Sequence, residues 1–312
     1  MDKLDTDLLR ILMQNSRIPI TSLAKKLKVS REVATYRLNR LKRENIILDF
    51  VAEINIEKLG FVGAAVFINI KATRQKEFKQ FLAETSFVSW VAELSGVWNF
   101  GFSIIGKTND ELDKKILLIY DKFKDAIIDH RFTLHRKSSF FYGKYFGALP
   151  RPIINKQYKD YKIDKKDKII LQELAKNSRI NSVALSQKIS LTAPAVAQRI
   201  KQLEASGHIE NYSIFVDVSK LGSFQYSIFV INKNLDEKKK MVKYLTQHQN
   251  VSFIAEYVGD QFIEFGLFVR DPYGLREKLQ VIEENFPNNR IMEISLFQKE
   301  FVSVGPPSCV FE

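Results

Sequence analysis

The chain has 312 residues, of which 45% are hydrophobic and 27% charged, and this composition excludes disordered and fibrous proteins. Its 48 Lys and Arg residues against 36 Asp and Glu residues give a net charge of +12, which favours a polyanion such as nucleic acid as partner. A single cysteine, Cys309, excludes a disulfide framework, and because no apolar run reaches the ~18 residues of a membrane helix, we expect a cytoplasmic protein with no membrane partner.

The chain contains an internal repeat. Residues 5–71 align without a gap with residues 167–233 at a constant offset of 162. The repeated tetrapeptide is Asn15-Ser16-Arg17-Ile18 and then Asn177-Ser178-Arg179-Ile180. Such self-similarity predicts two copies of one unit of about 150 residues, joined near residues 146–162.

The first part of each unit is predicted to be a winged helix-turn-helix. In the first copy, Asp5, Thr21 and Ser30 can each cap the start of an apolar-striped helix. Only two residues separate the second helix from the third cap, and so tight a turn is typical of a helix-turn-helix. The segment 46–54 alternates apolar and polar residues like a strand, in the position of a wing.

The second part of each unit reads strand, helix, strand, strand, helix, strand, which is the ferredoxin-like βαββαβ order. The predicted fold class is therefore α+β, a tandem repeat of a winged helix-turn-helix and a ferredoxin-like domain. The predicted domains are 1–54 and 163–216 for the winged helix-turn-helices, 55–146 and 217–312 for the ferredoxin-like domains, and 147–162 for the linker. We expect the two ferredoxin-like sheets to pack on each other within the chain.

The sequence resembles the Lrp/AsnC (feast/famine) transcriptional regulators. The resemblance is clearest in the second copy, over residues 196–212 and Lys220-Leu221-Gly222, and the first copy matches at Arg37, Leu38 and Leu41. It implies a sequence-specific regulator that binds double-stranded DNA through paired helix-turn-helix heads on a pseudo-palindromic site, without a cofactor. Two fused units imply a pseudo-dimer within one chain and leave a higher homo-oligomer open.

The third helix of each copy is the predicted DNA reader, because an inserted helix can contact base edges and phosphates with polar and basic side chains. The candidate DNA-binding residues are Ser30, Arg31, Thr35, Tyr36, Asn39, Arg40 and Arg43 in the first copy, and Thr192, Gln198, Arg199, Lys201 and Gln202 in the second. Arg37 and Arg199 lie close to the apolar stripe, so each could instead brace the domain or hold a phosphate. A solvated helix face is the alternative interpretation of the charges.

The first copy is expected to dominate the electrostatic part of DNA affinity. Residues 1–162 carry 29 basic and 18 acidic side chains, a net charge of +11, whereas residues 163–312 carry 19 and 18, a net charge of +1.

The resemblance also suggests a small-molecule effector, whose site in the family often has a Gly followed three residues later by an Asp. The corresponding pairs here are Gly96 with Asn99 and Gly259 with Phe262, and both lack the carboxylate. The candidate effector-binding residues are Glu93, Gly96, Asn99, Glu256, Gly259 and Asp260. We therefore expect that any effector is not an ordinary amino acid held in the usual way.

Two other functions compete with sequence-specific regulation. Sirohaem decarboxylases are also built from Lrp-like units, and a fused pair would be similar in outline, although no motif here carries that resemblance. A nonspecific architectural DNA-binding protein is the other alternative. The four histidines show no zinc-binding spacing, and the chain has no P-loop, GxGxxG or GxSxG motif, so we predict neither a metal nor a catalytic residue.

Overall fold

The structure is a computed structural model of the chain, and it describes residues 1–147, 158–259, 262–302 and 305–311. Contacts divide the described residues into two compact units, each built from both halves of the sequence. The head unit contains Met1–Phe61, the second helix-turn-helix segment up to Asp217, and residues 305–311. The sheet unit contains residues 62–147 and 218–302.

The two halves contain the same elements in the same order. The first half has α1 (Lys3–Gln14), α2 (Ile20–Leu27), α3 (Arg31–Arg43), β1 (Ile47–Ile54), β2 (Val62–Ile70), α4 (Gln75–Glu84), β3 (Val88–Gly96), β4 (Phe100–Gly106), α5 (Asn109–Phe123) and β5 (Ile127–Phe140). The second half has α6 (Lys165–Lys176), α7 (Ser182–Ile189), α8 (Ala193–Ala205), β6 (Ile209–Val216), β7 (Phe224–Asn232), α9 (Leu235–Gln247), β8 (Val251–Tyr257), β9 (Phe262–Val269), α10 (Pro272–Asn285) and β10 (Asn289–Val302). The α+β class and the predicted tandem of winged helix-turn-helix and βαββαβ parts are confirmed.

Two of the three predicted helix caps in the first copy are wrong. Asp2, not Asp5, is the N-cap of α1; its side chain accepts from the Asp5 backbone N–H while the Asp5 side chain accepts from that of Asp2. This reciprocal capping box satisfies two free donors at once. The helix α2 begins after Pro19 without a side-chain cap, so Thr21 lies inside it. Ser30 caps α3 as predicted.

The predicted wing strands pair with each other. Strand β1 pairs antiparallel with β6, from Ile47 opposite Val216 to Ile54 opposite Ile209. A two-stranded sheet is marginal by itself and needs packing on one face. Here α6 packs on β1 and α1 on β6, so each strand is covered by a helix of the opposite half.

The sheet unit is one closed antiparallel sheet in the order β10-β3-β4-β2-β5-β8-β9-β7. Strand β5 pairs with β2 through residues 127–134 and then with β8 through residues 135–140. Strand β10 does the same, pairing first with β7 and then with β3. The two ferredoxin-like parts are therefore joined within one chain, as predicted.

Apolar clusters lie on both faces of the closed sheet. Each half has its own core beneath its two helices, with Phe78 and Phe102 in the first half and Met241 and Phe265 in the second. A third cluster on the opposite face mixes both halves and includes Phe67 and Phe229. Burial of this apolar area favours the paired state, at about 25 cal/mol for each Å² removed from water.

The contact-based units differ from the predicted domains mainly at two boundaries. Residues 55–61, predicted to begin the first ferredoxin-like domain, and residues 305–311, predicted to end the second, belong to the head unit. Val310 is buried, and Phe311 packs against the apolar core of the second helix-turn-helix. Residues 148–157 of the predicted linker lie outside the described residues. Within the described residues, no helix has the length and apolar character needed to cross a membrane.

Candidate DNA-binding surface

Head one, from α1 to β1, presents α3 after a tight turn. Lys28 ends α2 in the left-handed region at φ 56°, which turns the chain within two residues of the next cap. The Ser30 side chain then accepts from the Val33 backbone N–H at 3.3 Å. Ala34, Leu38 and Leu41 face the core, whereas Val33, which the helical spacing assigns to that face, is 40% exposed.

The exposed face of α3 contains most of the predicted DNA-binding residues of head one. Ser30, Arg31, Tyr36, Asn39 and Arg43 are exposed, and Thr35 is half-buried. Tyr36 has 61% of its surface exposed. The Thr35 hydroxyl donates to the Arg31 carbonyl at 2.8 Å. We call the six residues the head-one face.

Arg40, another predicted DNA-binding residue, forms an ion pair within the head. Its guanidinium donates to Asp5, a carboxylate with only 1% of its side chain exposed. Arg37 contacts the same carboxylate at 2.9 Å and Asp2 at 2.7 Å. The hydrogen bond from Arg37 holds the pKa of Asp2 down to about 2. Both arginines therefore hold α3 against the start of α1.

Head two, from α6 to β6, repeats this brace with one arginine. Arg199 contacts Asp164 and Asp167, each at 2.9 Å. The hydrogen bond to the buried Asp167 is the main cause of the raised pKa of Arg199. Tyr161 donates to Asp167 at 2.8 Å. For Arg37 and Arg199, these contacts support the interpretation that each arginine braces its domain. The same spacing of two aspartates and one arginine occurs in both copies of the sequence and could have indicated this role.

The exposed face of α8 carries less charge than the head-one face. Its predicted residues Thr192, Gln198, Lys201 and Gln202 are all exposed, and Thr192 caps the helix by accepting from Ala195 at 3.4 Å. Lys201 is the only cation of this group, which we call the head-two face. The head-one face contains two arginines at Arg31 and Arg43.

The two heads are joined by the repeated tetrapeptide, whose role the sequence analysis missed. The hydroxyls of Ser16 and Ser178 lie 2.6 Å apart in a buried position. Arg17 donates to the carbonyls of Ser178 and Ile180, and Arg179 donates to those of Ser16 and Ile18 at 3.0 and 3.3 Å. Burial lowers the pKa of Arg179, and the nearby Arg17 adds to this effect. We call this set the head clamp.

The head clamp is extended by the paired strands. The Ser16 backbone N–H donates to the Tyr212 carbonyl at 3.0 Å, and that of Ser178 donates to the Phe50 carbonyl at 2.8 Å. Arg17 lies over the Tyr212 ring at 5.1 Å, and Arg179 lies over the Phe50 ring at 5.2 Å. Equivalent residues therefore make equivalent contacts, so the two heads are related by an approximate two-fold axis.

In the first half, the predicted effector residues are occupied by structural contacts. Gly96 lies where β3 meets β10, and a Cβ there would lie 2.5 Å from the Ile294 carbonyl oxygen. The Asn99 side chain accepts from the Ile70 N–H at 3.0 Å and donates to the Ile70 carbonyl at 2.9 Å. Glu93 pairs with Lys79 at 2.8 Å. Gly96 therefore lies at the close contact of β3 with β10, and Asn99, just before β4, is bonded to the end of β2.

In the second half, the equivalent residues have different surroundings. Glu256 lies 3.6 Å from Arg136, which is 63% exposed. A Cβ on Gly259 would have no atom within 4 Å, but a positive φ of 68° favours glycine there. Asp260 lies outside the described residues. No group of three His, Cys, Asp or Glu side chains able to hold a metal occurs among the residues for which coordinates are described.

The helix-turn-helix segments match two family models. Residues 1–42 match the AsnC-type helix-turn-helix domain, and residues 163–210 match a winged helix-turn-helix DNA-binding model. An uncharacterised HTH-type transcriptional regulator of Pyrococcus furiosus is 31% identical over 148 residues, which are 46% of this chain and 96% of that protein. The HTH-type transcriptional regulator LrpA of Pyrococcus horikoshii is 32% identical over 112 residues, which are 35% of this chain and 77% of LrpA.

One solved structure is similar over nearly the whole chain. It is the crystal structure of the siroheme decarboxylase NirDL, with a TM-score of 0.64, coverage of 99% of this chain and 96% of that one, and 13% sequence identity. At this identity the similarity concerns the fold alone. The sequence relatives are named as transcriptional regulators, and their coverage shows that one such protein corresponds to about half of this chain. The chain belongs to the Lrp/AsnC family of DNA-binding transcriptional regulators and carries two helix-turn-helix units in tandem.

Proposed function

We propose that the two heads bind a single imperfect palindrome as one rigid reader, with head one supplying most of the affinity. The observation that carries this proposal is the head clamp. Because Ser16 meets Ser178 and the arginines donate reciprocally, the heads do not depend on a flexible connection for their relative position. A dimeric helix-turn-helix reader selects a site whose symmetry mirrors its own.

We propose that the two half-sites are bound with unequal strength because the exposed faces of the two heads carry different side chains. Arg31 and Arg43 can each form paired hydrogen bonds with a guanine edge or a phosphate. The head-two face contributes Lys201 and the amides of Gln198 and Gln202, and such amides suit adenine edges. We therefore propose a half-site rich in guanine contacts under head one and a less strongly bound half-site under head two.

Selection of bound sequences from random double-stranded DNA, at one fixed salt concentration, tests the proposal. The expected result is two half-sites in inverted orientation with fixed spacing, of which one is more strongly constrained. A matched variant in which Arg31 and Arg43 are replaced by Ala should lose that stronger half-site and retain the spacing. A single half-site would contradict paired reading, and enrichment without sequence preference would favour the architectural alternative.

We propose further that the positions at Gly96 and Asn99 do not bind an amino-acid effector. The contacts that support this are the two hydrogen bonds of the Asn99 side chain to Ile70 and the close approach of β10 to Gly96. Calorimetric titration of the full chain with the twenty amino acids tests it. Tight binding that disappears in an Asn99→Ala chain would contradict the proposal.

A sirohaem decarboxylase-like enzyme is the second candidate function. Its support is the whole-length similarity to NirDL, which extends over both halves. Among the histidines, His135 is half-buried and desolvation lowers its pKa to about 4, whereas His208 is buried and its Nδ1 lies 2.7 Å from the Ser206 hydroxyl oxygen. Titration with an anionic iron tetrapyrrole, followed by absorption spectroscopy, distinguishes the functions, because saturable binding at a 1:1 ratio would favour the enzyme.

A further inference from the structure

The two halves of the sheet unit meet in equivalent residues at their shared inner face. Phe67 and Phe229 are 162 residues apart, and their rings meet edge to face with centroids 4.9 Å apart. In the strand pairing, Phe67 lies opposite Arg131, and Phe229 lies opposite Glu293. Arg131 and Glu293 are therefore the same position in the two halves, and this position contacts its own counterpart.

The side chains at this position have opposite charges. Arg131 donates twice to the Glu293 carboxylate, with one contact at 2.8 Å. Only 24% of the Arg131 side chain and 11% of the Glu293 side chain are exposed. The Arg131 guanidinium also lies 5.3 Å from the centre of the Phe229 ring, and the Trp98 indole donates to Glu293 at 2.8 Å. The pair is thus mostly withdrawn from water and packed among aromatic rings.

We propose that the Arg131–Glu293 pair selects the partner in sheet closure, so that a first half closes only on a second half. If two copies of the chain paired first half to first half, Arg131 would face its own copy. Second halves paired with each other would bring two copies of Glu293 together. Like charges withdrawn from water repel strongly, and polar contacts at one buried position are an established means of specifying pairing.

The Phe67–Phe229 contact at the same junction does not make this distinction. Phe67 and Phe229 are identical residues, so their contact would be equally good between like halves. The buried Ser16–Ser178 contact in the head unit is likewise the same from either side. The charge pair therefore supplies a specificity that hydrophobic burial, which is non-directional, does not.

Charge reversal in the full chain tests the proposal. The variants are Arg131→Glu, Glu293→Arg and the double reversal, with Lys114→Glu and Asp110→Lys as controls that make the same charge changes on an exposed ion pair of α5. We expect each single reversal to lower the melting temperature by roughly 10 °C, the controls to leave it unchanged, and the double reversal to recover at least half of the loss. Single reversals that melt like their controls would overturn the proposal.

A second measurement separates partner choice from stability. A tagged Arg131→Glu chain is co-expressed with an untagged Glu293→Arg chain or with an untagged copy of itself. In the mixed pair, each first half finds a second half of opposite charge, so the tagged chain should retain the Glu293→Arg chain in a 1:1 ratio and several times more of it than of its own copy. Equal retention of the two partners would overturn the proposal, whether or not the chain binds DNA.

Discussion

The two halves of this chain share one backbone plan and differ in the chemistry placed on it. Both heads hold their third helix, α3 or α8, through an arginine that contacts a buried aspartate, Arg37 in one head and Arg199 in the other. Their exposed faces differ, because α3 presents two arginines outside the brace and α8 presents one lysine. The braces and the head clamp use equivalent residues in both halves, whereas the exposed side chains and those inside the sheet differ between the halves.

The sheet interior shows the same divergence. At equivalent positions opposite Phe67 and Phe229, the first half has Gly101 and the second half has Glu264. The ring of Trp90 fills the space beside Gly101, since a Cβ there would lie 2.9 Å from it. Glu264 is buried and accepts from Ser227 at 2.6 Å and from Tyr257. Four predictions, in order of decreasing expected effect, test how these differences change stability and DNA binding.

Loss of the brace should cost more in head two than in head one. Arg199→Ala leaves the buried Asp167 with only the Tyr161 hydroxyl as a side-chain partner that the described contacts identify, so we expect a loss of about 3–5 kcal/mol. Arg37→Ala leaves Asp5 paired with Arg40, so its cost should be smaller, about 1–2 kcal/mol. Urea unfolding of both variants measures the difference, and equal losses would show that the two braces are equivalent.

The buried Glu264 should make stability depend on pH. Burial raises its pKa to about 7 from 4.5, so the protonated form favours the folded chain. That contribution is fully present below about pH 4.5 and is lost as pH rises through 7. Besides Ser227 and Tyr257, the charged Arg131 and Glu293 act on this carboxyl.

Glu264→Gln should therefore be more stable than the natural chain by about 2–3 kcal/mol at pH 8, with little difference at pH 4.5. Glu256→Gln, on the neighbouring strand β8, is the matched control. Thermal unfolding between pH 4.5 and 8 provides the measurement, and parallel pH profiles for Glu264→Gln and the natural chain would contradict a titrating Glu264.

Substitutions on the two exposed faces should have unequal effects on DNA binding. Replacing Arg31 and Arg43 by Ala should weaken specific binding by about 1–3 kcal/mol for each base that the variant no longer reads. Replacing Gln198 and Lys201 by Ala should weaken it less. Titration against the selected site at one salt concentration makes the comparison, and equal losses would mean that the heads contribute alike despite their charges.

The smallest expected effect is on the salt dependence of binding. Removing a cation that neutralises one phosphate reduces the slope of log K against log salt by about 0.9. Arg43→Ala should reduce the slope by about that amount, whereas Asn39→Ala should leave it unchanged because a neutral amide releases no counterion. A slope that does not change in either variant would place Arg43 away from the DNA backbone.

The repeat made much of the fold predictable from the sequence. An ungapped offset of 162 identified two equivalent units, and periodicity then gave the order of helices and strands. The pairing of β1 with β6 was not predictable, because alternation shows that a segment is a strand but not which strand is its partner. The cap at Asp2 was missed because Asp2 and Asp5 both suit a helix start, and in a capping box both are used.

The candidate site was predictable in outline but not residue by residue. Helical spacing separated Arg31 and Tyr36 from the core correctly. Helical spacing did not distinguish Arg40 from Arg43, because both lie outside the apolar stripe. Only the structure shows that Arg40 contacts Asp5. Gly96 is ambiguous for a related reason, since a glycine required by close strand approach and one required by a ligand look the same in a sequence.

The crossing of β5 and β10 between the halves has a consequence during synthesis. When a ribosome has made the first half, β3 and the later part of β5 still lack their partners, which are β10 and β8. At 5–20 residues per second, the remaining residues take on the order of ten to thirty seconds to appear. Throughout that interval the nascent chain carries open strand edges, which are templates for aggregation. Chaperone binding to the half-made chain is therefore expected to limit aggregation until β8 and β10 are made.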